Sequence, residues 1–287
     1  AAYALGDLAP EHAPYCEWRA TLPAASAGSE PDAGAALILI YRAFDLPVLF
    51  TLGRPEAVAA LLAETREPRL YLLIQPEIRP VVEALGAVSH FQAMWRMVLD
   101  PARFAPPASA APVAALGPAD YPALEALYAD GAAAGEAPDF FSPAQVADGL
   151  FFGVWEAGAL TAAAGTHLVS AEMSVGAVGN VYVRRDRRGR GLGGAVTAAV
   201  TGALRERGLT TIVLNVNQAN GPAQRIYERL GYWRAGAFCE GILERRLSAA
   251  QAAGGVSQLS REPKPRTVIR RIGLAGSGSI FWRSSQT

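Results

Sequence analysis

VYVRRDRRGRGLGG, residues 181–194, is the stretch on which the fold turns: strand-forming residues, an arginine-rich turn, then glycines opening an Ala/Val/Leu-rich helix. Glycines at such a junction let the main chain approach a ligand with no side chain in the way. The first N–H groups of a helix have no internal acceptor and carry the positive end of its dipole, so a phosphate or diphosphate is their natural ligand. Charge-assisted hydrogen bonds are worth about 1.5–3 kcal/mol each, so three or four would hold a diphosphate after desolvation. Arg184, Arg185, Arg187, Arg188 and Arg190 add a local positive field to a chain whose 26 basic and 26 acidic residues cancel. The expectation is an anionic cofactor held by main chain and guanidinium groups.

Outward from this loop, the helix runs over residues 191–207 and is closed by Gly208. A strand (TIVLNV), a helix over 222–230 closed by Gly231, and a last strand near 237–243 follow. Upstream, LFFGVW, a turn at Glu156-Ala157-Gly158, ALTAAAGTHLVS and AVGNVYV predict an antiparallel meander. Two helices precede it: one capped by Asp120 with Leu124, Leu127 and Tyr128 on one face, and one opening at Ser142 with capping-box spacing to Gln145. The expected fold class is α/β (α+β), a mixed, mainly antiparallel sheet flanked by helices. Gly189, Gly191 and Gly194 also satisfy the dinucleotide pattern G-x-G-x-x-G. That reading needs the strand to enter the first glycine directly and an acid at the end of the next strand. Here five charged residues intervene and the next strand ends Asn215-Val216-Asn217, so the pattern is disfavoured.

Arg188-Gly189-Arg190-Gly191-Leu192-Gly193 resembles the acyl-coenzyme A signature [QR]-x-x-G-x-[GA] of the GNAT superfamily of N-acyltransferases. Asn220-Gly221-Pro222-Ala223-Gln224-Arg225-Ile226-Tyr227, with Gly231-Tyr232 after it, resembles that superfamily's second signature. The resemblance covers about residues 111–246 and is greatest to the FR47-like branch. It implies acetyl-CoA as the acyl donor, with a diphosphate on Arg188, Gly189, Arg190, Gly191, Gly193 and Gly194. It also implies pantetheine paired with the main chain of Val181 and Val183, Asn220 against the coenzyme arm, and Tyr227 protonating the leaving thiolate. Independently of the name, Asn220, Ala223 and Tyr227 fall at i, i+3 and i+7 on one helical face, and Asn220 is a good N-cap.

An alkyl amine of pKa near 10 is roughly one part in a thousand neutral at pH 7, so a base must supply the nucleophile. Many relatives use a Glu on the central strand, and AVGNVYV has none. His167 and Glu172 are the candidate bases. Asp130, Glu136 and Asp139 around Phe140 and Phe141 suit an ammonium-bearing acceptor, a small-molecule or peptide primary amine. The expected activity is an acetyl-CoA-dependent N-acetyltransferase with direct transfer. The alternative is an acyl-CoA-binding regulator that lacks turnover.

Residues 35–99 alternate short apolar runs with helical patterns, giving an N-terminal α/β domain over 1–110. That domain has no second glycine loop and is read as a scaffold or substrate-side cover, while the resemblance to two-lobed members of the superfamily implies a degenerate second copy. The Ala/Pro-rich residues 104–117 read as a linker, and residues 247–287 as a mobile basic tail. His12 and His90 stand alone. Cys16 and Cys239 form no C-x-x-C pair, which argues against a zinc site or a disulfide framework and fits a reducing cytoplasm. Asp7 and Glu11 precede the first basic residue, Arg19, the reverse of a secretory leader, and the start lacks Met, as after trimming. No uncharged run is long enough to span a bilayer, and zero net charge with glycines beside the Arg cluster disfavours nucleic acid, so neither is an expected partner. Lys264 is the only lysine, which disfavours a Lys-dependent phosphate loop.

Overall fold

A computed structural model describes residues 13–23, 35–108, 111–132, 134–138, 141–246 and 266–272. The chain divides into two compact units, each discontinuous in sequence. One, the N-terminal unit, comprises Tyr15–Ser89 and Ile242–Thr287; the other, which bears the glycine loop, comprises Ala1–Pro14 and His90–Gly241.

In the N-terminal unit, β1 (Cys16–Pro23), β2 (Ala36–Tyr41) and β3 (Val48–Gly53) form an antiparallel meander. The helix α1 (Pro55–Leu62) then crosses to β4 (Arg69–Ile74), which pairs with β3 in parallel, and α2 (Arg79–Leu85) follows. Ile38, Leu49, Leu62, Leu72 and Ile74 fill the core and are fully buried. These elements match the apolar runs expected from sequence, with β1 as an addition.

The loop-bearing unit begins within β5 (Gly86–Leu99). The four-residue β6 (Val113–Leu116) precedes α3 (Tyr121–Ala132) and α4 (Pro143–Asp148). The meander follows as β7 (Phe151–Glu156), β8 (Ala159–Ser170) and β9 (Val175–Val183). Then come α5 (Leu192–Glu206), β10 (Thr211–Asn217), α6 (Gly221–Arg229) and β11 (Tyr232–Arg245). The strand order β5-β10-β9-β8-β7-β6 is mixed, with β9 and β10 parallel and the other pairs antiparallel where their register is defined. Asp120 accepts from the Gly117 N–H at 2.9 Å ahead of α3, and Gln145 accepts from the Ser142 N–H at 3.1 Å at the start of α4. Both close a helix end that would otherwise expose bare donors.

The two units share an order of pairings. Three antiparallel strands, a helix, a parallel strand and a second helix recur as β1-β2-β3-α1-β4-α2 and as β7-β8-β9-α5-β10-α6. At the α1 junction the chain reads Gly53-Arg54-Pro55, so the second copy of the topology has no second glycine loop.

Residue 110 lies inside the loop-bearing unit, and the division falls at Ser89/His90. Packing explains this: the Arg205 guanidinium lies 4.9 Å from the Phe104 ring centroid, and a Cβ on Gly194 would lie 3.8 Å from Pro107. The Ala/Pro stretch therefore covers α5 and does not behave as a spacer. Of the basic tail, residues 247–265 and 273–287 lie outside the described residues, while β12 (Arg266–Ile272) pairs with β1 in parallel. No helix among the described residues is long and apolar enough to cross a membrane.

Candidate functional site

The site grows from a gap in the sheet of the loop-bearing unit. Residues 175–178 of β9 pair with 211–214 of β10, and there the pairing stops. Beyond it β10 stays with β5 through Asn217, while β9 stays with β8 through Val183. The strands therefore splay after Val178 and Leu214. Main-chain groups alternate between the two edges of a strand. The Arg184 N–H bonds the Thr161 carbonyl of β8 at 2.9 Å, so the groups of Val183 and Val181 face the splay. Arg188 Nε reaches the Val183 carbonyl from that side at 3.2 Å.

The glycine loop closes the same end. Arg185–Arg187 make a short 3₁₀ turn, and Gly189 and Gly191 both have φ of +78°. A Cβ at either would meet nothing within 4 Å, so the requirement for glycine is conformational. Gly191 is the N-cap of α5, and the first helical bond is Ala195 N–H to the Gly191 carbonyl at 3.1 Å. The N–H groups of Leu192, Gly193 and Gly194 precede it and point out of the helix end. A Cβ on Gly193 would lie 3.4 Å from Val183 and one on Gly194 3.6 Å from Ile226, which brings β9, α5 and α6 together.

The arginines of the loop carry carboxylates with them, which corrects the expected positive field. Arg184 pairs with Asp186 at 2.6 Å, Arg185 with Glu136 at 3.4 Å, and Arg188 with Glu136 at 2.5 Å. Arg187 and Arg190 both pair with Glu156, at 2.8 and 3.0 Å. Asp130 accepts from the Tyr182 hydroxyl at 2.8 Å and from the Arg185 N–H at 3.2 Å. Five guanidiniums thus pair with three carboxylates, and a fourth, Asp130, is held by a hydroxyl and a main-chain N–H. The Tyr182 hydroxyl holds the Asp130 carboxyl below its ordinary range, and Arg188 does the same to Glu136. Asp130 and Glu136, two of the acids expected to greet an ammonium, are therefore engaged with the loop. Phe141 is packed among Tyr121, Tyr128 and Phe151, at centroid distances of 5.0, 4.8 and 6.0 Å. Asp139 and Phe140 lie outside the described residues.

On α6, Asn220 is the N-cap, its side-chain oxygen accepting from the Ala223 N–H at 3.1 Å. Tyr227 is 7% exposed within the apolar cluster formed by α5, α6, β9 and β10. Burial pushes its phenol up to about 12, and its hydroxyl bonds no described residue. His167 is exposed on β8, with Nε2 3.0 Å from Asn180 Oδ1. Glu172 sits in the turn between β8 and β9, at the opposite end of β9 from the glycine loop, and the structure does not bring the two together. Asn180 and Tyr182 are contacts that sequence reasoning missed. The Gly179-Asn180 pair inside a strand is a bulge signal that could have marked the first. A cavity of about 570 Å³ lies further along α5, between Phe152 and Ala198 to Glu206, away from Tyr227. Among the described residues, no cluster of three or more His, Cys, Asp or Glu could hold a metal.

A splayed parallel pair, a glycine loop on a helix end and a buried tyrosine on the following helix belong to one unit of the chain. Residues 152–239 match the family described as FR47-like protein, and the fold is that of GNAT acetyltransferases. The chain is 46% identical over 67 residues to a mycothiol acetyltransferase of Thermobispora bispora, a match spanning 22% of this chain and 23% of that relative. Among solved structures, a protein of Novosphingobium aromaticivorans described as an acetyltransferase of the GNAT family aligns with TM-score 0.53 at 22% identity, covering 77% of this chain and 91% of its own. A tandem GNAT protein from the clavulanic acid biosynthesis pathway aligns with TM-score 0.50 at 16% identity, covering 75% and 80%.

Proposed function

We propose that the chain is an acetyl-CoA-dependent N-acetyltransferase that moves the acyl group directly to a primary amine. The observation that carries this reading is the free edge of β9. Val181 and Val183 turn their main-chain groups into a splay that ends at a helix N-terminus, and both valines pack against the apolar cluster that holds Tyr227. An extended amide-bearing arm fits that edge as an added strand. The N–H groups of residues 192–194, freed by Gly189 and Gly191, would bind its diphosphate, and Arg188 and Arg190 would reach it by releasing Glu136 and Glu156. The cap role of Asn220 leaves its Nδ2 group for the coenzyme arm.

Direct transfer needs a C–N bond to form as the C–S bond breaks, with one proton leaving the amine and one reaching the sulfur. With its phenol near 12, Tyr227 is neutral at every physiological pH and acts as a donor. Full transfer to a thiolate of ordinary pKa near 8.5 would be uphill by about 5 kcal/mol. The hydroxyl therefore serves first as a hydrogen bond to the departing sulfur and passes its proton only as charge develops there. His167 would take the amine proton at Nδ1, since its Nε2–H donates to Asn180 Oδ1. The relative's named substrate is not carried over, because the match spans too little of either chain.

The second reading, an acyl-CoA-binding regulator that lacks turnover, is favoured by one observation: β9 reads VGAVGNVYV and carries no carboxylate. Thiol release from acetyl-CoA across a panel of amines decides between the two. Sustained release with any amine ends the regulator reading. Binding without release across the panel ends the enzyme reading.

A further inference from the structure

Asn180 is a residue whose conformation, burial and unmet hydrogen bonding all lack a purpose inside the protein. It has φ of +51°, a left-handed backbone in the middle of a strand. The residue is 5% exposed. Its carbonyl accepts from the Tyr128 hydroxyl of α3 at 2.9 Å, and its Oδ1 meets His167 Nε2 at 3.0 Å. A Cβ on the preceding Gly179 would fall 2.3 Å from that same His167 nitrogen, so the histidine ring lies where only glycine leaves room. His167 thus holds the side-chain amide and Tyr128 the main chain beside it, yet Asn180 Nδ2 is buried with no partner among the described residues. An unmet buried donor costs about 1–3 kcal/mol, so a group held this way has an acceptor that arrives from outside.

Position along the strand identifies that acceptor. Asn180 stands where β9 has just parted from β10, next to Val181. This step rests on the reading of the splay as an acyl-CoA channel. An arm anchored at residues 188–194 and paired first with Val183, then with Val181, brings its far end to residue 180. We propose that the Asn180 side-chain amide donates to the acyl carbonyl oxygen of the thioester, with His167 as the positioning residue that fixes the plane of that amide. When the amine nitrogen attacks the carbonyl carbon, the π pair moves onto this oxygen, where Nδ2–H meets it. The pair returns as the C–S bond breaks and the sulfur leaves with the bonding electrons toward Tyr227. A donor aimed at developing charge is the largest single contribution in acyl transfer generally.

The test compares two ligands that differ only in the acyl group, and it needs no knowledge of the amine. The full chain is titrated calorimetrically with acetyl-CoA and with coenzyme A. The native protein should prefer acetyl-CoA by about fivefold to tenfold. Asn180→Asp keeps an acceptor for His167 and the left-handed backbone but cannot donate. Asn180→Gly tolerates the same φ with no side chain and covers the case in which a buried aspartate disturbs folding. In both variants acetyl-CoA should weaken to the affinity of coenzyme A, while coenzyme A changes by less than about twofold. A preference retained in both variants, an equal loss for both ligands, or no preference in the native protein overturns the assignment and leaves the acyltransferase reading standing. Native protein that binds neither ligand overturns both.

Discussion

The Glu136 carboxylate lies 2.5 Å from the Arg188 guanidinium, and through that contact the protein carries its own anion on the loop proposed to hold a diphosphate. Both side chains are half-exposed, at 40% and 46%, so the pair itself contributes less than about 1 kcal/mol to folding. Its effect falls on binding, because an incoming diphosphate must exchange with it. Glu136→Gln should tighten coenzyme A by about threefold to tenfold at low ionic strength, with the gain shrinking as salt is added. Calorimetric titration across a salt series reads this, and an unchanged dissociation constant would show that Arg188 does not exchange partners.

Tyr227→Phe separates chemistry from binding. The hydroxyl bonds no described residue, so removing it orphans nothing and stability should change by less than about 1 kcal/mol. The turnover number should fall about 100-fold with the coenzyme A affinity nearly unchanged. A variant with the native rate would remove Tyr227 from the reaction.

Gly191 and Gly194, three residues apart, have opposite requirements. Gly191 sits at φ of +78°, so Gly191→Ala should cost about 1–2 kcal/mol and weaken coenzyme A binding. Gly194 lies in the first turn of α5, where a new Cβ would make only ordinary contacts at 3.6 and 3.8 Å. Gly194→Ala should leave stability unchanged or raise it by up to about 1 kcal/mol. Thermal melts of the two variants check the contrast.

The pH dependence follows from which groups are held. Arg188 lowers the Glu136 carboxyl and the Tyr182 hydroxyl lowers that of Asp130, so both favour the native loop above their unfolded values near pH 4. That contribution is lost as pH falls through the lowered values, so the protection of amides in residues 184–188, relative to their intrinsic exchange at each pH, should hold at pH 5 and fall only below about pH 4. Tyr227 runs the other way. Its raised phenol favours the native state fully below about pH 10 and loses that advantage toward about 12. Ultraviolet titration should therefore find a phenol that stays neutral at pH 10.

The meander, the glycine loop and the two helices after it were legible because strand and helix periods are strong there and glycines mark the ends. Gly191, Gly208 and Gly231 all have positive φ at helix boundaries. The strand β1 was not legible. Its Glu17 is 8% exposed and is held by Arg19 and Arg42, so an inward-facing charge breaks the apolar alternation. The cancellation of the arginine cluster was hidden for another reason: Glu136 and Glu156 lie some thirty to fifty residues away in the chain, and only the fold brings them to Arg188 and Arg190. Asn180 was marked only by the Gly179-Asn180 pair inside a strand, a bulge signal that says nothing of the side chain's burial or its partners. The Ala/Pro stretch misled as a boundary, since proline that packs on a helix and proline in a free spacer are spelled alike.

The parting of β9 from β10 leaves the sheet with a missing rung, and its rails are already held apart by β8 and β5. A guest that supplies carbonyl and amide groups at strand spacing completes it, so occupancy becomes part of what keeps this half of the chain folded. At one hundred times its dissociation constant such a guest adds about 2.7 kcal/mol. The lifetime of the protein would then rise and fall with the supply of that guest.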